Sequence, residues 1–222
     1  MSNIHNELFE LSMSDKAIPL LELIKKHCEE NVKPIQEEFY ALQNGKEDRW
    51  TWHPRQLELL EGAKEKAKAL GLWNFFLPDS EGVIGDGLTN LDYTYIASEI
   101  GKYPLASESM NCSAPDTGNM EVLERVGTPE QKKEWLEPLL NGEIRSAYAM
   151  TEPNLASSDA KNISTSAVLD GDEWVINGEK FYISGAGDPR CKIMIVMVKS
   201  SPDAAPSKQQ SQILVPKDTP GV

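Results

Sequence analysis

The feature that most constrains the fold of this chain is a change of hydrophobic periodicity at Arg145. Before Arg145, apolar residues recur every three or four positions, which places them on one face of a helix. After it, apolar and polar residues alternate in short runs separated by turn residues, a pattern typical of strands. Helices followed by strands indicate an α+β fold or two domains. We therefore predict an α-helical domain over 1–145 and a β-domain over 146–222.

Helix start and stop signals divide the first part of the chain. The first predicted helix ends before Pro34; its apolar face is formed by Ile18, Leu21, Ile24, Cys28 and Val32. The second begins at His53-Pro54 and has Gly71 as its C-terminal cap. Two more span about 90–100 and 116–126. The capping box Thr128-Pro129-Glu130-Gln131 opens a last helix that runs to Gly142.

The second part of the chain predicts strands, which lie at about 146–150, 163–169, 173–177, 180–184, 191–198 and 212–215. Turn signals at Asp170-Gly171-Asp172 and Asn177-Gly178 separate two pairs of strands. Asn-Gly is a strong hairpin signal because both central residues of a type I′ turn need a positive φ. Since residues two apart in a strand share a face, this second hairpin would present Tyr182 and Ser184 together.

Two segments in the β-part carry the strongest functional signal. The first, Tyr148-Ala149-Met150-Thr151-Glu152-Pro153, is a strand end followed by Ser157-Ser158-Asp159. Hydroxyls and backbone N–H groups in such a turn can hold a phosphate or the edge of a ring. The second segment is Asn177 to Ser184, which offers an aromatic ring and a hydroxyl. The ordinary alternatives are a common turn and a surface strand whose polar side chains face water.

Composition and charge exclude several functional classes. The net charge of −13 disfavours nucleic acid as a partner. No apolar run approaches the roughly 20 residues of a membrane-spanning helix. The first 16 residues show neither a signal-peptide nor a transit-peptide pattern, so we expect a cytoplasmic protein.

Metal and phosphate-loop motifs are weak in this chain. The cysteines and histidines lack metal-ligand spacing, so no metal site is expected; they are Cys28, Cys112, Cys191, His5, His27 and His53. Gly82 to Gly87 is glycine-rich but lacks the G-x-G-x-x-G spacing and a surrounding βαβ unit. We interpret it as a flexible turn before a helix.

Taken together, the two segments resemble the flavin-binding signature of acyl-CoA dehydrogenases. The chain resembles the N-terminal helical domain of that family followed by its middle domain, which here would be a truncated, antiparallel β-barrel-like fold. Residues 111–123 resemble the branch whose eukaryotic members can carry a fused kinase-like domain. The resemblance implies FAD-dependent α,β-dehydrogenation of an acyl-CoA thioester, as in fatty acid β-oxidation, with hydride transfer to flavin N5.

The resemblance also implies roles for individual residues. The expected FAD contacts are Tyr148, Ala149, Met150, Thr151, Ala156, Ser157, Ser158, Tyr182, Ile183 and Ser184. Residues 148–151 would border the pyrimidine edge, and Ser157 and Ser158 would serve the pyrophosphate. Ser158 would also touch the substrate. Tyr182 would cover the ring and Ser184 would donate to N5, while the helix from Asp116 to Leu123 would help line the acyl pocket.

The end of the chain bears on catalysis and partners. Residues 218–222 resemble a turn inside the family's β-domain. The C-terminal helical bundle, which supplies the family's glutamate base and most of its oligomer interface, does not appear in this sequence. We therefore expect a truncated form without a catalytic residue of its own. The full-length protein would use acyl-CoA, an electron-transfer flavoprotein or similar acceptor, and a homo-oligomer. Two alternatives stay open: a catalytically silent flavin or acyl-CoA binding module, and a flavin oxidase or monooxygenase on the same scaffold.

Overall fold

The computed structural model describes residues 11–44, 48, 50–77 and 87–222. Its contacts divide the chain into two compact units, Met1–Ser113 and Ala114–Val222. The helices that follow Ala114 are thus grouped with the sheet, and the predicted domain boundary at Arg145 stays a prediction. Residues 82–86 of the predicted glycine-rich turn lie outside the described part of the chain.

The described part of the first unit is helical. Its helices are α1 (Ala17–His27), α2 (Lys33–Ala41), α3 (Pro54–Ala69), α4 (Asn90–Ile100) and α5 (Ala106–Ser109). A π-helical turn, Cys28–Val32, joins α1 to α2, so the predicted helix end before Pro34 is wrong. Pro34 lies in the first turn of α2, directly after this π-helical turn.

The predicted starts of α3 and α4 are confirmed. The Nδ1 atom of His53 accepts a hydrogen bond from the Arg55 N–H at 3.1 Å, and Pro54 occupies the first turn of α3. At α4, the Thr89 hydroxyl accepts from the Asp92 N–H at 3.1 Å. Such caps satisfy N–H groups that have no partner within the helix. Among the described residues, every helix is too short or too polar to span a lipid bilayer.

The second unit begins with helices that the sequence also predicts. They are α6 (Asp116–Val126), α7 (Pro129–Gln131) and α8 (Glu137–Asn141), with a π-helical turn, Lys132–Leu136, between the last two. The predicted capping box is confirmed: Thr128 Oγ1 accepts from the Gln131 N–H at 3.3 Å, and Gln131 Oε1 accepts from the Thr128 N–H at 3.0 Å. Gly142 ends α8 with a φ of 73°, which only glycine adopts readily.

The described strands form one mixed sheet that does not close into a barrel. They are β1 (Arg145–Ala149), β2 (Ser166–Asp170), β3 (Glu173–Asn177), β4 (Cys191–Lys199) and β5 (Gln210–Pro216). The central strand β4 runs parallel to β1 and antiparallel to β5, and it meets β2 only through Ser166 and Lys199. β2 and β3 form an antiparallel hairpin around Gly171, as predicted.

The α+β fold class is confirmed, but the sheet is not purely antiparallel. The chain between β1 and β4 is long enough to return to the end of the sheet where β1 began. The two strands can therefore run in the same direction, which a short hairpin connection does not allow. The sheet core packs alanines of β1 and β2 against β4, with Ala147, Ala149, Ala167, Met194 and Val196 among its buried members.

The predicted strand 180–184 and the Asn177-Gly178 hairpin are wrong. Residues 178–190, all described, contain no strand, and neither Asn177 nor Gly178 has a positive φ. Instead, Gly178 packs so closely against Thr165 that an added Cβ would lie 2.3 Å from Thr165 Oγ1. The Phe181 N–H then donates to the Thr151 carbonyl at 2.8 Å, so this segment bonds to the chain after β1 rather than to β3.

A buried carboxylate ties α6 to the start of β1. Asp116, 2% exposed, accepts through Oδ1 from the Ser146 N–H at 2.7 Å and from the Ser146 hydroxyl at 2.6 Å. Its Oδ2 lies 2.6 Å from Arg145 Nε. Asn119 Nδ2 also donates to Ser146 Oγ at 2.8 Å. Asp116 therefore fastens the helix to the sheet.

We expect Asp116→Asn to destabilise the second unit by about 3–5 kcal/mol, because it removes the negative charge from a largely buried ion pair with Arg145, whose side chain is 13% exposed. The measurement is the free energy of unfolding from urea denaturation followed by circular dichroism. The control is Asp159→Asn, which removes the exposed pair with Lys161, keeps a turn-capping oxygen and should cost less than about 1 kcal/mol. Equal losses in the two variants would contradict the fastening role.

Candidate functional site

The candidate site is built around the residues that follow β1. Tyr148 is half-buried in β1, and its hydroxyl accepts a hydrogen bond from Gln212 Nε2 at 3.0 Å. Ala149 is buried in the sheet core. The Met150 carbonyl accepts from Lys180 Nζ at 2.8 Å. The strand end is therefore held from two sides, by β5 and by the segment that follows β3.

Glu152 is the most heavily bonded side chain of this region. Its Oε1 accepts from the Thr165 N–H at 2.9 Å, the Thr165 hydroxyl at 2.6 Å and Lys180 Nζ at 2.9 Å. Its Oε2 accepts from the Ser164 N–H at 2.8 Å and the Ser164 hydroxyl at 2.7 Å. The side chains of Glu152 and Lys180 are only 3% and 11% exposed. We call Glu152, Ser164, Thr165 and Lys180 the carboxylate hub.

The hub determines the charge state of Glu152. Desolvation by burial raises the pKa of the carboxyl, but hydrogen bonds from Thr165, Ser164 and the Lys180 ammonium outweigh it. The net effect is a pKa well below the ordinary value, because all of these donors favour the ionised form. Glu152 is thus a buried, permanent anion at neutral pH.

The structure brings the two sequence segments together. Lys180 Nζ reaches the Met150 carbonyl, the Phe181 N–H donates to the Thr151 carbonyl, and the Thr151 hydroxyl donates to the Phe181 carbonyl. The second segment thus runs beside the first without forming a ladder of strand pairs. The prediction that these residues form one surface relied on a hairpin, and a different set of bonds produces the juxtaposition.

The residues after Lys180 form an exposed aromatic turn, defined here as 181–184. Phe181 is 46% exposed and Tyr182 is 86% exposed, with ring centroids 4.1 Å apart. Tyr182 has a φ of 57°, a conformation that bulky residues rarely adopt. Ser184 is exposed, while Ile183 packs against the sheet core. Tyr182 and Ser184 are both exposed, but the strand alternation that predicted a shared face for them is absent.

The hydroxyl-rich turn divides into an internal and an external half. Ser157 is 3% exposed, and its Oγ accepts from the Glu152 N–H at 2.6 Å. Ala156 and Ser158 are exposed, and the Ala156 carbonyl accepts from Asn162 Nδ2 at 3.1 Å. The Ser157 hydroxyl therefore closes the turn, which leaves Ser158 as the serine that a ligand can reach.

Sequence reasoning interpreted Glu152 as structural but missed its partners. Ser164 and Thr165 fell inside a predicted strand, and Lys180 stood in an alternating segment where a surface position is the usual expectation. One signal could have found them, since two adjacent hydroxyl residues before a strand can supply four donors to one carboxylate.

An apolar cleft of about 420 Å³ lies elsewhere in the second unit. The end of α6 lines one wall with Val122, Leu123 and Val126, and the sheet lines the other with Trp174, Ile195, Gln212 and Leu214. The helix from Asp116 to Leu123, predicted to help line an acyl pocket, contributes Val122 and Leu123 to this cleft, whereas the Asp116 side chain is buried against β1. The described residues contain no cluster of three metal-ligating side chains.

Comparison with known sequences identifies the family. Residues 14–143 match the acyl-CoA dehydrogenase N-terminal domain, and residues 147–222 match the acyl-CoA dehydrogenase middle domain.

The chain belongs to the acyl-CoA dehydrogenase family. "Acyl-CoA dehydrogenase family member 11" of Gallus gallus is 50% identical over 224 residues, which cover 99% of this chain. This match confirms the predicted family and branch. The chain spans only 27% of the length of that relative.

Solved acyl-CoA dehydrogenase structures share the fold. A structure from Mycobacterium abscessus has a TM-score of 0.86 and 44% identity, and the match covers 95% of this chain and 52% of that one. A glutaryl-CoA dehydrogenase from Mycobacterium smegmatis, in complex with FADH2, has a TM-score of 0.67 and 23% identity. That match covers 97% of this chain and 49% of the other. At this low identity, the likeness is evidence only of a shared fold.

We expect Glu152→Gln to lower the stability at neutral pH by about 3–5 kcal/mol, because Lys180 loses its buried counter-charge. The pH dependence should also change. The ionised carboxylate contributes stability above the unfolded-state pKa of 4.5, and that contribution is lost as pH falls below it towards the lower folded-state pKa. Urea midpoints measured between about pH 7 and pH 3 should therefore fall less steeply for the variant. Parallel pH profiles would show that Glu152 is not the buried anion described here.

We expect Gly178→Ala to destabilise the second unit by about 1–3 kcal/mol, because the new methyl group would displace Thr165 from the carboxylate hub. The matched control is Gly118→Ala in α6, where nothing lies within 4 Å of an added Cβ. That control should stabilise the helix by up to about 1 kcal/mol. Urea denaturation measures both variants, and a neutral Gly178→Ala would contradict the close packing.

Proposed function

We propose that this chain is the FAD- and substrate-facing part of an enzyme that dehydrogenates acyl-CoA thioesters at the α and β carbons. One observation carries the proposal: the two segments that resemble the flavin signature lie side by side and are joined by four hydrogen bonds. Membership of the acyl-CoA dehydrogenase family supports it. The glutaryl-CoA dehydrogenase that shares the fold is itself in complex with FADH2.

The chemistry of the exposed donors fits FAD. Tyr182 offers an uncovered aromatic face, and Ser184 and Ser158 offer exposed hydroxyls. The Thr151 hydroxyl donates its proton to the Phe181 carbonyl, so it would meet the ring edge only as an acceptor. The backbone of Tyr148, Ala149, Met150 and Thr151 would border the pyrimidine edge of the flavin. Ala156, Ser157 and Ser158 would face the pyrophosphate, and Ser158 would be its reachable hydroxyl.

Bound FAD supplies the hydride acceptor, and the residues of this chain bind and orient. A hydroxyl donor at Ser184, with Ile183 anchoring the turn to the core, would stabilise charge that builds on the ring by an amount on the order of 1–3 kcal/mol. Glu152 is unsuited to be the base that removes the α-proton. Its two oxygens already accept five hydrogen bonds, and its pKa lies far below the range of a general base.

The apolar cleft beside α6 is the proposed place for part of the acyl chain. Its walls are mainly aliphatic and aromatic, and burial of a methylene there is worth about 0.8 kcal/mol. We also propose the division into a helical domain (1–145) and a β-domain (146–222), a homo-oligomeric full-length protein and an electron-transfer flavoprotein as the acceptor. These follow from the family resemblance.

A second candidate function is flavin or acyl-CoA binding without turnover by this chain. It is favoured by the full hydrogen bonding of Glu152, the one carboxylate of the carboxylate hub. Anaerobic addition of a medium-chain acyl-CoA to the FAD-loaded chain separates the two candidates. Bleaching of the flavin absorption means dehydrogenation, whereas bands that shift without bleaching mean binding alone.

We expect Ser184→Ala to weaken FAD binding by roughly three- to tenfold, the equivalent of one hydrogen bond. Ser184→Thr keeps the hydroxyl and should bind as the wild type does. Tyr182→Ala should also weaken binding, and Tyr182→Trp should not. Because both side chains are exposed, thermal unfolding should be unchanged in all four variants. Titration followed by flavin fluorescence gives the dissociation constants; a wild-type chain with no affinity for FAD would contradict the proposed site.

A further inference from the structure

The Lys180 ammonium joins two pieces of backbone that lie about thirty residues apart. Its Nζ lies 2.8 Å from the Met150 carbonyl and 2.9 Å from Glu152 Oε1. Lys180 is half-buried as a residue, and its side chain is 11% exposed. A lysine in this position loses hydration, so its hydrogen bonds must replace that hydration. Both of the acceptors belong to the segment after β1.

The residue after Lys180 repeats this link through the backbone. The Phe181 N–H donates to the Thr151 carbonyl, and the Phe181 carbonyl accepts from the Thr151 hydroxyl. The aromatic turn begins at this residue. The distance between the end of β1 and the aromatic turn is therefore determined by bonds from two consecutive residues.

The other side of the carboxylate hub anchors Glu152 to the sheet. Thr165 donates twice to Glu152, and its own carbonyl accepts from the Lys199 N–H at the end of β4, at 2.7 Å. Gly178 packs against the Thr165 side chain. Glu152 is thus fixed to the end of β4, the central strand of the sheet, and Lys180 links this position to the aromatic turn.

We propose that Glu152 and Lys180 are positioning residues of the flavin site: their ion pair sets the spacing between the ring-edge segment (Tyr148 to Thr151) and the aromatic turn. This inference rests on the proposed function. Neither side chain touches the reacting atoms. A charged pair suits this role because N⁺–H···O⁻ hydrogen bonds are shorter and stronger than neutral ones, and hold two segments within narrow limits. A site that binds a flat ring needs its walls placed to within about 0.5 Å.

The first test measures the spacing without the cofactor. Amide hydrogen exchange of the 222-residue chain, followed by NMR, reports the bond from the Phe181 N–H to the Thr151 carbonyl. In Lys180→Met, exchange at Phe181 should rise by a factor at least about tenfold larger than the factor for amides paired between β4 and β5, which report overall stability. Glu152→Gln keeps the shape of the side chain and should produce the same local change, so the test does not depend on one variant folding.

A matched control separates local positioning from general loss of stability. Lys132→Met removes a partly buried lysine whose ammonium lies 3.3 Å from Glu124 in the same unit. It should leave exchange at Phe181 unchanged. The proposal is overturned if Lys180→Met leaves Phe181 protected, or if exchange at Phe181 and in β4 rises by the same factor, since the ion pair would then act on overall stability only.

The second test connects the spacing to the cofactor. FAD titrations of the wild type, Lys180→Met and Lys180→Arg should show affinity lost by at least about tenfold in the methionine variant and recovered in part in the arginine variant. Equal affinity in all three overturns the positioning role. A wild type without affinity for FAD overturns the proposed function, while the exchange measurement still decides whether the ion pair sets the spacing.

Discussion

A carboxylate can be buried only if protein donors replace the hydrogen bonds that it made to water. The contacts around Glu152 in the second unit meet this requirement. Glu152 receives five hydrogen bonds from Ser164, Thr165 and Lys180. Each donor belongs to a segment whose position matters elsewhere: the entry to β2, the link to β4 and the start of the aromatic turn. The same bonds that make the buried charge tolerable therefore also assemble the surface proposed to hold a flavin. Stability and function share one set of contacts here.

These shared contacts explain why the two segments lie together although the hairpin predicted at Asn177-Gly178 does not form. A β-ladder would have fixed the aromatic turn through many backbone bonds to β3. The chain uses instead two bonds between Thr151 and Phe181 and one charged side chain. Tyr182, with its positive φ and high exposure, can then stand away from the sheet. In a regular strand its ring would stand on one face of the sheet, beside the side chains of the neighbouring strand.

Local signals predicted the helices well, because caps and apolar periodicity act within a few residues. The starts at Pro54 and Asn90 and the capping box at Thr128 are examples. The continuation through Pro34 was missed because a π-helical turn depends on packing, which periodicity does not report. The Asn177-Gly178 signal failed for the same reason: the glycine satisfies a steric need of Thr165, about a dozen residues away. The site segments were identifiable by resemblance, but the role of Lys180 required a three-dimensional contact.

The contact between Gly178 and Thr165 also restricts how such a chain can vary. An added Cβ at position 178 would lie within 2.7 Å of the Oγ1, Cβ and Cγ2 atoms of Thr165. Replacing Thr165 by serine would remove only one of those three atoms, and replacing it by glycine would remove a donor from Glu152. No single substitution at position 165 or 178 both makes room for a Cβ at position 178 and keeps every donor to the Glu152 carboxylate. Positions 165 and 178 therefore constrain each other in evolution. A larger residue at position 178 requires an intermediate sequence in which the buried Glu152 carboxylate lacks one of its hydrogen-bond donors.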